Sequence, residues 1–124
     1  MTRYLVIMAG GAIGTLARFA ASSAIMNRLN SRFPFGTFFV NISGCFLIGV
    51  IMTLLTEHFV HANWRLALVV GFLGGYTTFS SFEYETFVAA RDGHPLTGLL
   101  NVTASVVAGY LAVWLGAVIA AGKH

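Results

Sequence analysis

The sequence predicts an all-α integral membrane protein with four transmembrane helices, the third broken near its middle, assembled as an antiparallel dual-topology homodimer. Three observations carry this reading. First, charged residues make up 9% of the 124 positions and hydrophobic ones 57%, whereas a soluble domain has about a quarter charged. Seven Lys/Arg and four Asp/Glu cannot cover the large surface of so small a soluble domain. Second, four apolar runs each reach the roughly 20 residues that cross a bilayer core. Third, the cationic residues of the joints and chain ends divide evenly between the two sides of the membrane.

The spans are expected at about 4–26, 36–56, 66–90 and 96–121, in one four-helix transmembrane domain over 1–124. Breakers and charges mark the joints at 27–34, 57–65 and 91–95. Pro34 and Pro95 precede spans, where a missing N–H costs least. Arg3 followed by an apolar run resembles a signal peptide, but the run continues past Ala17 and three more spans follow, so retention is expected.

Four spans put Arg3, Arg65 and Lys123 on one side and Arg28, Arg32 and Arg91 on the other. Orientation follows Lys/Arg asymmetry in short loops, and here there is none. The chain is therefore expected to insert both ways and to pair antiparallel, unless Arg18 near the end of span one breaks the tie. Ala104, Ala108, Ala112, Gly116 and Ala120 recur every four residues on span four, as do Gly10 and Gly14 on span one. Small residues at that spacing allow close helix approach in lipid, either within the chain or across a dimer.

Several functions are excluded. The basic residues are scattered, which speaks against nucleic acid. Cys45 is alone, so neither an intrachain disulfide nor a cysteine metal site can form. His58 and His61 read as a solvated loop. No nucleophile motif, phosphate-binding loop or paired carboxylates suggest an enzyme.

Polar residues within spans are costly unless they are paired or line a cavity. Thr37 and Asn41 lie one turn apart on span two, and Asn101 and Ser105 one turn apart on span four. The densest group is Gly74-Gly75-Tyr76-Thr77-Thr78-Phe79-Ser80-Ser81-Phe82. Adjacent glycines and β-branched threonines form helix poorly, so the helix is expected to break there. The freed carbonyls could be satisfied by the hydroxyls of Thr77, Thr78 or Ser80, or by a hard cation, which takes oxygen ligands. Phe79 and Phe82 share a face that Glu85 continues. Such a pair commonly packs in a core or against lipid, but ring edges are electropositive and can face an anion. Arg18 either snorkels to headgroups or forms a positive vestibule. Glu83 and Glu85 are the acids a proton-coupled transporter would need.

The segments Gly10 to Arg18 (GGAIGTLAR), Gly36 to Asn41 (GTFFVN) with Gly44, and Gly74 to Phe82 (GGYTTFSSF) together resemble the Fluc, or CrcB, fluoride channels along the whole chain. The resemblance implies a passive fluoride-selective channel in the bacterial inner membrane, with two pores in an antiparallel dimer. It implies a central structural sodium ion on the main-chain carbonyls of Gly74 and Thr77 from each subunit, and so favours the cation over the simple kink. It places Phe79, Phe82, Asn41, Thr37, Ser80 and Glu85 on the anion pathway and Arg18 in a vestibule. Asn101 and Ser105 are expected as polar pore or dimer contacts, where family members differ. Ser81 stands where the motif has threonine, and both residues carry a hydroxyl. The competing readings are a small dual-topology proton-coupled multidrug transporter, which needs a mid-span acid, and an accessory subunit of a larger complex.

Overall fold

The computed structural model describes residues 1–122, so Lys123 of the charge count lies outside the described residues. The chain is all-helical. Helix α1 covers Thr2–Leu29 and α2 Phe35–Glu57. A short α3, Ala62–Arg65, runs into a π-helical stretch, Leu66–Leu73, and then a single turn, α4, Gly74–Tyr76. Helix α5 covers Ser80–Arg91 and α6 Pro95–Ala121. Three of these, α1, α2 and α6, are long and apolar enough to cross a membrane. The remaining span is divided, because residues 77–79 leave the helix and Thr77 takes an extended backbone (φ −93°, ψ 155°).

The ends follow from local chemistry. Asn30 closes α1 in the left-handed conformation (φ 43°), and its N–H bonds the Met26 carbonyl. Gly93, at φ 87°, makes the turn between α5 and α6. His61 caps α3, its Nδ1 accepting the Asn63 N–H at 3.1 Å. Among the described residues no group of three or more His, Cys, Asp or Glu could hold a metal.

The π-helical stretch was not expected from the sequence. Its widened turns present backbone to α1, and glycines on both sides permit the approach. A Cβ on Gly71 would sit 2.8 Å from the Ile7 carbonyl oxygen, and one on Gly75 2.6 Å from that of Gly11. Gly10 and Gly14 in turn face the Ala67 and Phe72 carbonyls too closely for any side chain. Packing within the chain thus takes up the α1 glycine pair.

On α6 the close contacts come from Gly98 and Gly116 rather than from the whole small-residue stripe. Gly116 lies on the α2 backbone at Phe46, and Gly49 of α2 on α6 at Val113. Ala104, Ala108, Ala112 and Ala120 are half-buried. The core is small: Val40, Leu73 and Tyr76, with Ala17, Leu47, Ile48 and Phe72 around them. Large apolar side chains point outward along whole helices, including Leu5, Leu16 and Phe19 on α1 and Val106, Tyr110 and Trp114 on α6. A soluble monomer does not carry apolar surface on this scale, whereas lipid solvates it.

Candidate functional site: the helix break and its cavities

At the break, the Thr77 N–H and hydroxyl both turn back to the Leu73 carbonyl, at 3.0 and 2.9 Å. The Thr78 N–H, which would have continued the helix onto Gly74, instead donates to Asn41 Oδ1 at 2.8 Å. Asn41 Nδ2 donates in return to the Thr78 carbonyl at 2.9 Å. The Gly75 carbonyl accepts from Arg18 Nε at 2.9 Å. Among the described residues no hydrogen bond reaches the carbonyl oxygens of Gly74 or Thr77. Such carbonyls suit a hard cation that prefers oxygen ligands.

A cavity of about 440 Å³ adjoins the break, lined among others by Asn41, Gly74, Thr77, Phe79, Phe82 and Ser105. The two phenylalanine rings are 5.9 Å apart at 55°, but their settings differ. Phe82 is 7% exposed and Phe79 75%. One ring is part of the fold, and the other is offered to whatever lies beside the chain. Ser80 is exposed, its hydroxyl makes no hydrogen bond among the described residues, and it lies outside the cavity.

A second cavity, of about 730 Å³, opens at the end of the bundle where α1 and α5 finish and α2 and α6 begin. Ser22, Asn27, Arg32, Thr37, Tyr84 and Glu85 are among its lining residues. The Thr37 hydroxyl donates to Glu85 Oε1 at 2.7 Å, while Oε2 is buried with no partner among the described residues. Thr37 and Asn41 follow one another on α2, as do Glu85 and Phe82 on α5. The two pairs therefore form one line from the end cavity to the break.

Arg18 departs from its expected place. Its guanidinium is held on the Gly75 carbonyl rather than in the end cavity, where Arg32 is the lining arginine. Asn101 departs as well. It is 1% exposed and lines neither cavity, donating from Nδ2 to Thr86 Oγ1 at 3.0 Å and accepting from the Ser105 hydroxyl at 3.3 Å. Ser105 does line the break cavity.

Donor arithmetic follows from these bonds. The Asn41 amide has two N–H groups and uses one, so the other is free among the described residues. The Thr78 hydroxyl accepts the Ser81 N–H at 3.3 Å and keeps its own proton available. Thr37 has already given its proton to Glu85. The break can therefore present a small set of neutral donors and ring edges to an anion without a full positive charge.

Residues 5–117 match the family described as CrcB-like protein, Camphor Resistance (CrcB). The chain belongs to the CrcB family. It is 60% identical over 119 residues to a protein of Solibacter usitatus (strain Ellin6076) named fluoride-specific ion channel FluC, covering 95% of this chain and 98% of that one. A protein of the same name from Acidobacterium capsulatum is 50% identical, covering 94% of each. One named FluC 2 from Moorella thermoacetica is 44% identical, covering 91% of this chain and 92% of its own.

In this CrcB chain, sequence reasoning missed Thr78 as the clamp on Asn41 and Thr86 as the partner of Asn101. It also missed the bond between Ser43 and the buried Tyr76 hydroxyl, at 2.8 Å. The signal for Thr86 was available: it lies four residues beyond Phe82, where a helical threonine bonds back to a carbonyl.

Proposed function

We propose that this chain is a passive fluoride-selective channel of the bacterial inner membrane, working as an antiparallel dual-topology homodimer with two pores. The observation that carries the reading is the cavity at the break, where Phe79, Phe82 and Asn41 meet beside an interrupted helix. The names of its relatives point the same way.

Fluoride is small and strongly hydrated, so its water must be replaced by donors. The free N–H of Asn41, the Thr78 hydroxyl and the ring edges supply them. Binding must remain weak or shared between sites for the ion to leave. Rigidity at the break disfavours larger anions such as chloride. The open face of Phe79 is where a second copy would close the pathway. Glu85, Thr37 and Arg32 form its mouth, and Ser80 reaches the pathway only from the partner's side. A sodium ion on the Gly74 and Thr77 carbonyls of both copies would hold the two breaks together. Transport needs no energy source: fluoride that accumulates inside leaves down its gradient, aided by an inside-negative potential.

The test is passive efflux from liposomes holding the purified protein, with chloride-loaded vesicles in parallel. Rapid fluoride efflux with silent chloride is expected. Silence toward both, from a folded dimer in sodium, would end the reading.

A further inference from the structure

A directed chain of hydrogen bonds crosses from α6 to α5 behind the cavity. The Ser105 hydroxyl donates to Asn101 Oδ1 at 3.3 Å, Asn101 Nδ2 donates to Thr86 Oγ1 at 3.0 Å, and the Thr86 hydroxyl donates to the Phe82 carbonyl at 2.9 Å. Thr86 has one proton to give and gives it to Phe82, so every link points the same way. Asn101 is the one buried polar residue among those described, and an amide in that position is tolerated because its groups are paired. The approach depends on Gly98, where a Cβ would stand 3.1 Å from the Thr86 carbonyl oxygen.

Ser105 and Phe82, the two ends of the chain, both line the break cavity, while Asn101 and Thr86 do not. We infer that Thr86 and Asn101 are positioning residues for Phe82, fixing the ring that forms the inner wall of the anion pathway. This deepens the channel reading and rests on it. Phe79, exposed on the other side, has no such support, so the two rings are not equivalent. The inner one is anchored to α6 and the outer one follows its surroundings.

In this relay stability and positioning can be separated. Removing one partner strands a buried polar group, whereas replacing both by apolar residues of similar shape can restore stability. The variants are Thr86→Val, Thr86→Ser and the double replacement Thr86→Val with Asn101→Leu, each measured for thermal midpoint and for fluoride and chloride efflux from liposomes. Thr86→Val is expected to melt lower and conduct fluoride roughly tenfold more slowly, the effect of about one hydrogen bond. Thr86→Ser, which keeps the hydroxyl, should recover most of the flux. The double variant should regain the melting temperature but stay slow, and its preference for fluoride over chloride should narrow. Flux that tracks melting temperature across the set, or a fast Thr86→Val channel, would overturn the positioning role. Parent vesicles silent toward fluoride would instead bring down the channel reading and this inference with it.

Discussion

Asn41 and Thr78 exchange two hydrogen bonds across the interrupted span, Nδ2 to the Thr78 carbonyl and the Thr78 N–H to Oδ1, at 2.9 and 2.8 Å. One side chain thus completes a peptide unit that the helix abandons. Left unpaired at membrane depth, each of these groups would carry a desolvation cost of ~1–3 kcal/mol. Asn41→Leu should therefore lower stability by about 2 kcal/mol and abolish fluoride flux. Asn41→Asp is the sharper variant. It keeps the acceptor for Thr78 N–H but loses the donor and sets a charge against the Thr78 carbonyl. It is expected to conduct no better than Asn41→Leu, by liposome efflux. An Asp variant with parental flux would show that the amide's donors are dispensable.

This pairing also shows where sequence reasoning ran out. The break was legible because Gly74, Gly75, Thr77 and Thr78 are poor helix formers, and the spans because apolar runs declare their own length. That Thr37 and Asn41 share one face of span two was legible from their spacing; that this face meets the break came only from the family resemblance. That half of the Asn41 amide is already committed there was not legible, since hydrogen-bond partners on another helix leave no local pattern. Arg18 shows the same limit. Its place near a span end suggests a vestibule charge, and only the fold adds the Gly75 carbonyl 2.9 Å from its Nε. The π-helical turns over Leu66–Leu73 had no composition signal, and their close packing against Gly10 and Gly14 of α1 is a contact between distant parts of the sequence.

The two phenylalanines should separate under the same substitution. Phe82 is 7% exposed and Phe79 75%, so Phe82→Ile removes packed volume and Phe79→Ile removes almost none from the single chain. Phe82→Ile is expected to destabilise by ~1–2 kcal/mol and to slow flux. Phe79→Ile should leave the chain's own stability within about 0.5 kcal/mol yet still reduce flux, because it removes an electropositive edge from the pathway. Thermal unfolding beside fluoride efflux distinguishes the two. Equal melting shifts for both would contradict the asymmetry.

Gly44 lies against the break from the α2 side. A Cβ there would overlap the Thr77 methyl and come within 3.4 Å of the Tyr76 ring. Gly44→Ala must displace Thr77, whose N–H and hydroxyl are both tied to Leu73. Overpacking of this kind costs about 1–3 kcal/mol, and fluoride flux should fall with it. Gly11, with only a carbonyl 3.8 Å from its would-be Cβ, is the control: Gly11→Ala should be mild in both measurements.

If sodium sits on the Gly74 and Thr77 carbonyls, it stabilises the folded dimer by mass action. Above its dissociation constant, each tenfold rise in sodium adds about 1.4 kcal/mol. Melting in sodium should therefore exceed melting in N-methylglucamine at equal ionic strength, and the difference should grow with concentration. Because the ligands are main-chain atoms, no single side-chain deletion mimics this. Identical melting curves in the two cations would remove the ion from the account.

Arg18 admits two physical roles with opposite salt behaviour. As a free vestibule charge it would gather anions over distance, an effect screened beyond ~10 Å at 0.1 M salt. As the partner of the Gly75 carbonyl it makes a charge-assisted bond, of about 1.5–3 kcal/mol, whose loss salt does not repair. Arg18→Met should therefore lower stability and fluoride flux by the same factor at low and high ionic strength. Arg18→Lys should recover only part of the loss, because an ammonium lacks the planar fork of the guanidinium. Initial efflux rates between 20 mM and 500 mM of an inert salt, roughly a fivefold change in screening length, test the choice. If the deficit of Arg18→Met fades as salt rises, the arginine gathers anions; if it persists, the arginine holds the break.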